Sequence, residues 1–207
     1  MYIQITTRCN MRCDHCGYAC TAKGADMSLE VFQAALELCD DSLSLGGGEP
    51  TIHPLFWEFF GLALSRADEY LWLATNGKET VTALALANIA KRGVCGVALS
   101  RDPFHEDIDD RVVEAFTRPV RNTYNTGHLD DAREIRDTSN QLIKAGRCKN
   151  GKPGCICNDL LVRPNGDVHV CGCKRSPRLG NVLTGVTIPD VYEYGECYKD
   201  QRGVVAA

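Results

Sequence analysis

Apolar and polar positions repeat with two different periods along the first two thirds of the chain. Residues 2–6 alternate loosely and are β-branched, which predicts a strand, and 42–45, 70–74, 94–99 and 120–124 read the same way. Between these runs the apolar positions fall at helical spacing. Leu29, Phe32, Leu36 and Cys39 share one face behind a Ser28 cap, and Leu55, Phe59 and Leu62 follow Pro54. Residues 81–92 form a third helix that stops at Gly93, and 107–116 a short fourth one. Past that point the pattern weakens, with 130–136 read as a helix and 141–144 as a last short strand. Strands alternating with helices imply a parallel sheet with right-handed crossovers. Five or six such units are too few for a closed eight-stranded barrel. The expected fold is α/β, a partial (β/α)5-6 TIM-like barrel with an open side.

After Ala145 the composition shifts to Gly, Pro, Lys and Cys. Residues 160–163 and 168–170 then flank Pro164-Asn165-Gly166-Asp167, which predicts a β-hairpin with an Asn-Gly turn. The chain therefore divides into a barrel over 1–145 and a small cysteine-rich hairpin extension over 146–207. From Gly185 onward there is little pattern.

A formal net charge of −4 gives no global argument for nucleic acid or membrane binding. No run approaches the ~18 apolar residues of a membrane span, and the first residues read as a strand rather than a leader. The 12 cysteines change the picture. In a chain without a leader they read as metal ligands before disulfides, which points to a reducing cytoplasm. Cys39 and Cys95 stand apart in the middle of the chain and read as small buried hydrophobes.

Cys9, Cys13 and Cys16 follow the first strand at C-x3-C-x2-C spacing. A structural zinc takes four ligands, commonly from paired C-x2-C units, so three close thiols suit it poorly unless Cys20 or His15 completes the set. They suit a 4Fe–4S cluster with one iron left open for a substrate or cofactor. The second strand ends in Gly46-Gly47-Gly48-Glu49-Pro50. Glycines let backbone approach a ligand closely, and a carboxylate suits an ammonium.

Together, the cysteine loop and Gly47-Gly48-Glu49-Pro50 resemble the radical S-adenosylmethionine (radical SAM) superfamily over roughly residues 1–145. The resemblance implies that Cys9, Cys13 and Cys16 hold a 4Fe–4S cluster whose free iron takes S-adenosyl-L-methionine. It implies that Gly47, Gly48 and Glu49 bind the methionyl amine and that Ser100 contacts the ribose. Asn76 is either a cofactor contact or a turn former with a left-handed backbone. Asp102 and His105, after the fourth strand, are candidates for proton transfer or substrate binding. His15 stands where many members carry a hydrocarbon ring. The implied reaction is reductive cleavage of the cofactor to a 5′-deoxyadenosyl radical that abstracts a hydrogen, with a reductant such as flavodoxin or ferredoxin as partner.

The second cysteine group is similar to the start of the SPASM and twitch extensions, which bind auxiliary clusters. One auxiliary 4Fe–4S cluster would draw on Cys148, Cys155 or Cys157, Cys171, and Cys173 or Cys197, with a thiolate-bound zinc as the alternative. Three substrate readings stay open. The first is a peptide or protein side chain. The second is a nucleotide, modified DNA base or small metabolite, with Lys144, Arg147, Lys149, Lys152, Lys174, Arg175 and Arg178 as phosphate contacts. The third is a glycyl-radical partner enzyme that this chain would activate. A non-enzymatic metal module has no use for Gly47-Gly48-Glu49.

Overall fold

Alternate residues of each early strand point to opposite faces, and the helices cover one of them. In β1 (Tyr2–Thr6) Ile3 and Ile5 enter the core under the helices, while Tyr2 faces a cavity on the other side. The computed structural model describes residues 1–39, 42–67, 70–117, 131–154, 159–173 and 176–188. After β1 come α1 (Leu29–Leu36), β2 (Ser42–Gly47), a 3-10 turn at Pro50–Ile52, α2 (Phe56–Arg66), β3 (Tyr70–Thr75), α3 (Thr80–Lys91), β4 (Gly96–Ser100), α4 (Asp110–Phe116) and β5 (Arg133–Arg136). Four short strands follow: β6 (Leu161–Val162), β7 (Asp167–His169), β8 (Arg178–Asn181) and β9 (Gly185–Val186).

These strands form one nine-stranded sheet in the order β5-β4-β3-β2-β1-β6-β7-β8-β9. The first five are mutually parallel, β6 is parallel to β1, and β7, β8 and β9 run antiparallel. The sheet does not close, as expected of a partial barrel. The C-terminal hairpin extends the sheet from the β1 edge through Tyr2↔Leu161 and Ile3↔Val162.

Local chemistry explains the boundaries. Ser28 accepts a hydrogen bond from the Val31 N–H and starts α1. The second helix begins at Phe56, not Pro54, because the His53 ring accepts the Leu55 N–H and holds the preceding turn. The expected helix over 130–136 is instead the edge strand β5, whose four residues pair with β4 from Val97↔Arg133 to Ser100↔Arg136. The expected strand at 141–144 is a 3-10 turn at Ser139–Gln141 followed by a single bridge, Ile143↔Lys152. Residues 120–124 lie outside the described residues. The hairpin forms as expected, with Leu161 opposite His169 and Val162 opposite Val168. Polar bonds tie β8 to β7: Arg178 and Asn181 both donate to the Asp167 carboxylate.

The core packs α1 and α2 on the sheet around Phe32 and Phe59, whose rings stack at 4.1 Å with an interplanar angle of 4°. Both are fully buried. Cys39 and Cys95 are buried in the same core, as expected. Among the described residues no helix is long and apolar enough to cross a membrane. Phe32→Ala should cost about 3–5 kcal/mol by loss of buried area and a residual cavity. Denaturant unfolding measures this; a loss below 1 kcal/mol would show that the stack is not central to the core.

Candidate active site

Two loops at the C-terminal ends of adjacent parallel strands meet at the top of the sheet. The glycine run ends β2, and its main chain continues the pairing beyond β1: the Gly48 N–H donates to the Thr6 carbonyl and the Glu49 N–H to that of Arg8, each at 2.9 Å. A Cβ on Gly48 would overlap the Arg8 carbonyl, and one on Gly47 the Thr6 carbonyl. The glycines are therefore required by the approach of this chain to itself, before any ligand is considered.

Glu49 is 1 % exposed. Its Oε1 accepts from the Thr51 N–H (3.2 Å), the Thr51 hydroxyl (2.7 Å) and the Thr75 hydroxyl (2.8 Å), and its Oε2 from the Asn76 N–H (2.6 Å). Burial pushes this carboxyl above its usual range, against the pull of those donors. Oε2 keeps a lone-pair direction for one further donor. Asn76 is a turn former: its side chain accepts the Lys78 N–H and donates to Asn10 in the cysteine loop at 2.9 Å. The left-handed residue there is Gly77, at φ +76°, not Asn76.

The cysteine loop leaves β1 and returns at Met27, closed by pairing of Thr7 with Ala25 and Cys9 with Thr21. Arg8 forks onto Asp26 (2.9 and 2.8 Å), which also accepts from the Thr6 hydroxyl. Cys9, Cys13 and Cys16 lie close enough to influence one another's charge. Burial pushes the Cys9 thiol up, and that of Cys13 to about 11. The thiol of Cys20 hydrogen bonds to Cys16, drawing Cys16 down and pushing itself up. Among the described residues only His15, Asp102 and His105 bring three ligand atoms within 4.8 Å of one another. The loop cysteines are thus not gathered around a single ion, which is unlike a zinc knuckle. Their grouping in one loop fits a larger, multi-iron body.

That His–Asp–His group is better explained by hydrogen bonding than by a metal. Asp102 has a fully buried side chain. Its Oδ1 binds His105 Nδ1 (2.8 Å) and the Phe104 N–H (3.0 Å), and its Oδ2 binds His15 Nε2 (3.2 Å) and the Thr138 hydroxyl (3.1 Å). All its lone-pair directions are taken by protein donors. Burial alone would raise this carboxyl; His105 and the Phe104 N–H bring it below its usual range. Burial also lowers His15, which favours a neutral ring with its proton on Nε2. His15 Nδ1 is then a buried acceptor, and it has no hydrogen-bond partner among the described residues.

A cavity of about 460 Å³ opens between these elements. Its lining joins His15 and Cys16 to Gly47, Gly48, Glu49, Asn76 and Ser100. Asp102 and His105 stand behind the wall, reaching it through His15 and Thr138, which argues against direct contact with a bound molecule. Arg136 at the end of β5 also lines the cavity and stacks over Trp72 at 5.8 Å. Residues 130–136 were expected to be helical, so sequence reasoning missed it; the Ser100↔Arg136 pairing puts it there. Of the C-terminal cysteines, Cys148, Cys171 and Cys173 are buried, while Cys155, Cys157 and Cys197 lie outside the described residues.

A family model described as the radical SAM superfamily matches residues 3–137. The chain belongs to the radical SAM superfamily. It is 33 % identical over 112 residues to the tungsten-containing aldehyde ferredoxin oxidoreductase cofactor-modifying protein of Pyrococcus furiosus. That match takes in 49 % of this chain and 30 % of the relative. Among solved structures, native anSMEcpe with bound AdoMet and Kp18Cys peptide superposes with a TM-score of 0.57 at 17 % identity, over 97 % of this chain and 80 % of that one. Native anSMEcpe with bound AdoMet superposes at 0.54 and 18 % identity, over 89 % and 78 %. At these identities the likeness shows the fold. The superfamily implies a 4Fe–4S cluster and S-adenosyl-L-methionine. The site fits them: three grouped thiols beside a cavity of the size that small ligands occupy, about 300–1,000 Å³.

Glu49 holds Thr51, Thr75 and Asn76 as well as facing the cavity. Glu49→Ala should therefore destabilise the fold by about 2–4 kcal/mol, because buried donors lose their acceptor. Glu49→Gln should cost less. Urea unfolding of both variants checks this; equal stability of Glu49→Ala and wild type would remove the carboxylate from the framework.

Proposed function

We propose that Cys9, Cys13 and Cys16 hold a 4Fe–4S cluster, and that the adjacent cavity takes S-adenosyl-L-methionine for hydrogen abstraction from a peptide or protein side chain. The observation that carries this reading is one cavity wall shared by Cys16, Gly47, Gly48 and Glu49. When bound, the reduced cluster and S-adenosyl-L-methionine supply a 5′-deoxyadenosyl radical, and the protein's part is binding, orientation and exclusion of water.

Each polar wall has a matching role. Glu49 and the strand-end glycines would receive the methionyl ammonium, whose positive charge would offset the burial that disfavours the charged carboxylate. Arg136 would meet the methionyl carboxylate, Ser100 a ribose hydroxyl and the His15 ring the adenine. Asp102 acts from behind, fixing the His15 ring, and the fully satisfied carboxylate is poorly placed for direct proton transfer.

For the substrate, structures sharing this fold include one holding a peptide, and the relative acts on a cofactor by name. The phosphate-contact argument for a nucleotide is weaker than the sequence implied. Arg147 turns inward to the cysteine loop, Arg178 is paired with Asp167, and Lys174 and Arg175 lie outside the described residues. A flavodoxin or ferredoxin serves as reductant in this reading. In this reading a second centre, a 4Fe–4S cluster or a thiolate-bound zinc, draws on Cys148, Cys155 or Cys157, Cys171, and Cys173 or Cys197.

After anaerobic reconstitution and dithionite reduction, the protein should form 5′-deoxyadenosine from S-adenosyl-L-methionine even without substrate. A Cys9→Ala/Cys13→Ala/Cys16→Ala variant that forms it at the original rate would overturn the cluster assignment. Elemental analysis tests the second centre. About eight irons per chain supports two 4Fe–4S clusters. About four irons with one zinc replaces the second cluster by zinc. Four irons, no zinc and thiol-reactive C-terminal cysteines would remove the second centre.

A further inference from the structure

One cation from the C-terminal third reaches into the cysteine loop. The Arg147 main-chain N–H donates to the Cys16 carbonyl at 3.0 Å. Its guanidinium donates through Nε to the Cys13 carbonyl at 3.0 Å and through Nη1 to the Cys20 carbonyl at 2.6 Å. Three points of the loop are thus held by a residue more than a hundred positions away. The approach is close: Gly146 sits at φ +56°, and a Cβ there would overlap the Cys16 and Gly17 carbonyls. The loop also needs holding. Ala19 adopts φ +54°, a left-handed conformation that a residue with a Cβ rarely takes, and the Cys20 carbonyl follows immediately.

We infer that Arg147 is the positioning residue of the cluster loop, fixing its main chain at Cys13, Cys16 and Cys20 and placing a permanent positive charge beside the thiolate ligands. The inference rests on the reading that Cys9, Cys13 and Cys16 carry the cluster. Two physical effects follow. The hydrogen bonds to ligand-residue carbonyls hold the thiols in place, as outer-shell partners do at metal sites. The guanidinium carries a positive charge, so it favours the cluster state carrying one more electron. The segment after residue 145 is then part of the catalytic site. An arginine counted among possible phosphate contacts is instead committed inward.

The test uses the anaerobically reconstituted full chain as wild type, Arg147→Lys and Arg147→Gln. Three quantities are read: iron per chain, the midpoint potential of the cluster by EPR-monitored titration, and the rate at which a ferrous chelator strips iron. Arg147→Gln loses both the charge and the two-pronged grip. Its potential should move to more negative values and its iron should be stripped roughly tenfold faster. Arg147→Lys keeps the charge without the fork, so its potential should stay near wild type while stripping still accelerates. Wild-type potential and stripping rate in Arg147→Gln would overturn the inference. If Arg147→Gln does not fold, Arg147→Lys decides, and a wild-type stripping rate there overturns it. Failure of the cluster reading shows separately, as unchanged iron content in the Cys9/Cys13/Cys16 triple variant.

Discussion

A buried carboxylate sets the geometry on which the site depends. Glu49 lies beyond the end of β2, at the point where parallel strands stop pairing and would otherwise splay. Its two oxygens gather the 3-10 turn through Thr51, the end of β3 through Thr75 and the following turn through Asn76. Asn76 passes the restraint on to Asn10 in the cysteine loop. An ionised group this buried is costly unless its lone pairs are used, and here nearly all of them are. Glu49 also lines the cavity. One side chain therefore both assembles the framework and forms part of the cavity wall.

The same device recurs on the other flank. Asp102 gathers His15 from the cysteine loop, His105 and Phe104 from its own loop, and Thr138 from the segment after β5. The cysteine loop is thus held between two acids at strand ends and one arginine from the C-terminal segment. Its own residues have little apolar material to pack, although Met11 and Cys20 are buried. Charge-assisted hydrogen bonds do here what apolar packing does under the helices. The difference suits a loop that must present thiols and keep a cavity open beside them.

This division explains which features could be read from the sequence. The early strands and helices bury one face each, so their apolar period was visible, and β1, β3 and α1 fell close to their expected positions. The thiols and the glycine run stood out because their chemistry is local in the chain. What escaped notice was held by polar, long-range contacts. β5 reads Arg133-Glu134-Ile135-Arg136, which carries no strand period; its place comes from pairing with β4 and from Arg133 bonding to Asp131 and Ala115. In the sequence Asp102 reads as a loop acid open to substrate, because the three segments meeting on it are separated in the chain. Arg147 looked like one member of a basic patch for the same reason.

The position of β6 changes how the C-terminal segment should be understood. The hairpin continues the barrel sheet: Leu161 and Val162 are fully buried against β1, and the Tyr2 N–H donates to the Leu160 carbonyl at 2.8 Å. Val162 and Val168 belong to the same apolar core as Ile3 and Ile5. β1 in turn leads directly into Cys9. A displacement at β6 is therefore delivered to the cysteine loop through the β1–β6 ladder, and one at residues 146–147 through the main-chain and guanidinium bonds of Arg147. A metal centre on the C-terminal cysteines would then act as a clamp on the catalytic loop as well as on its own hairpin.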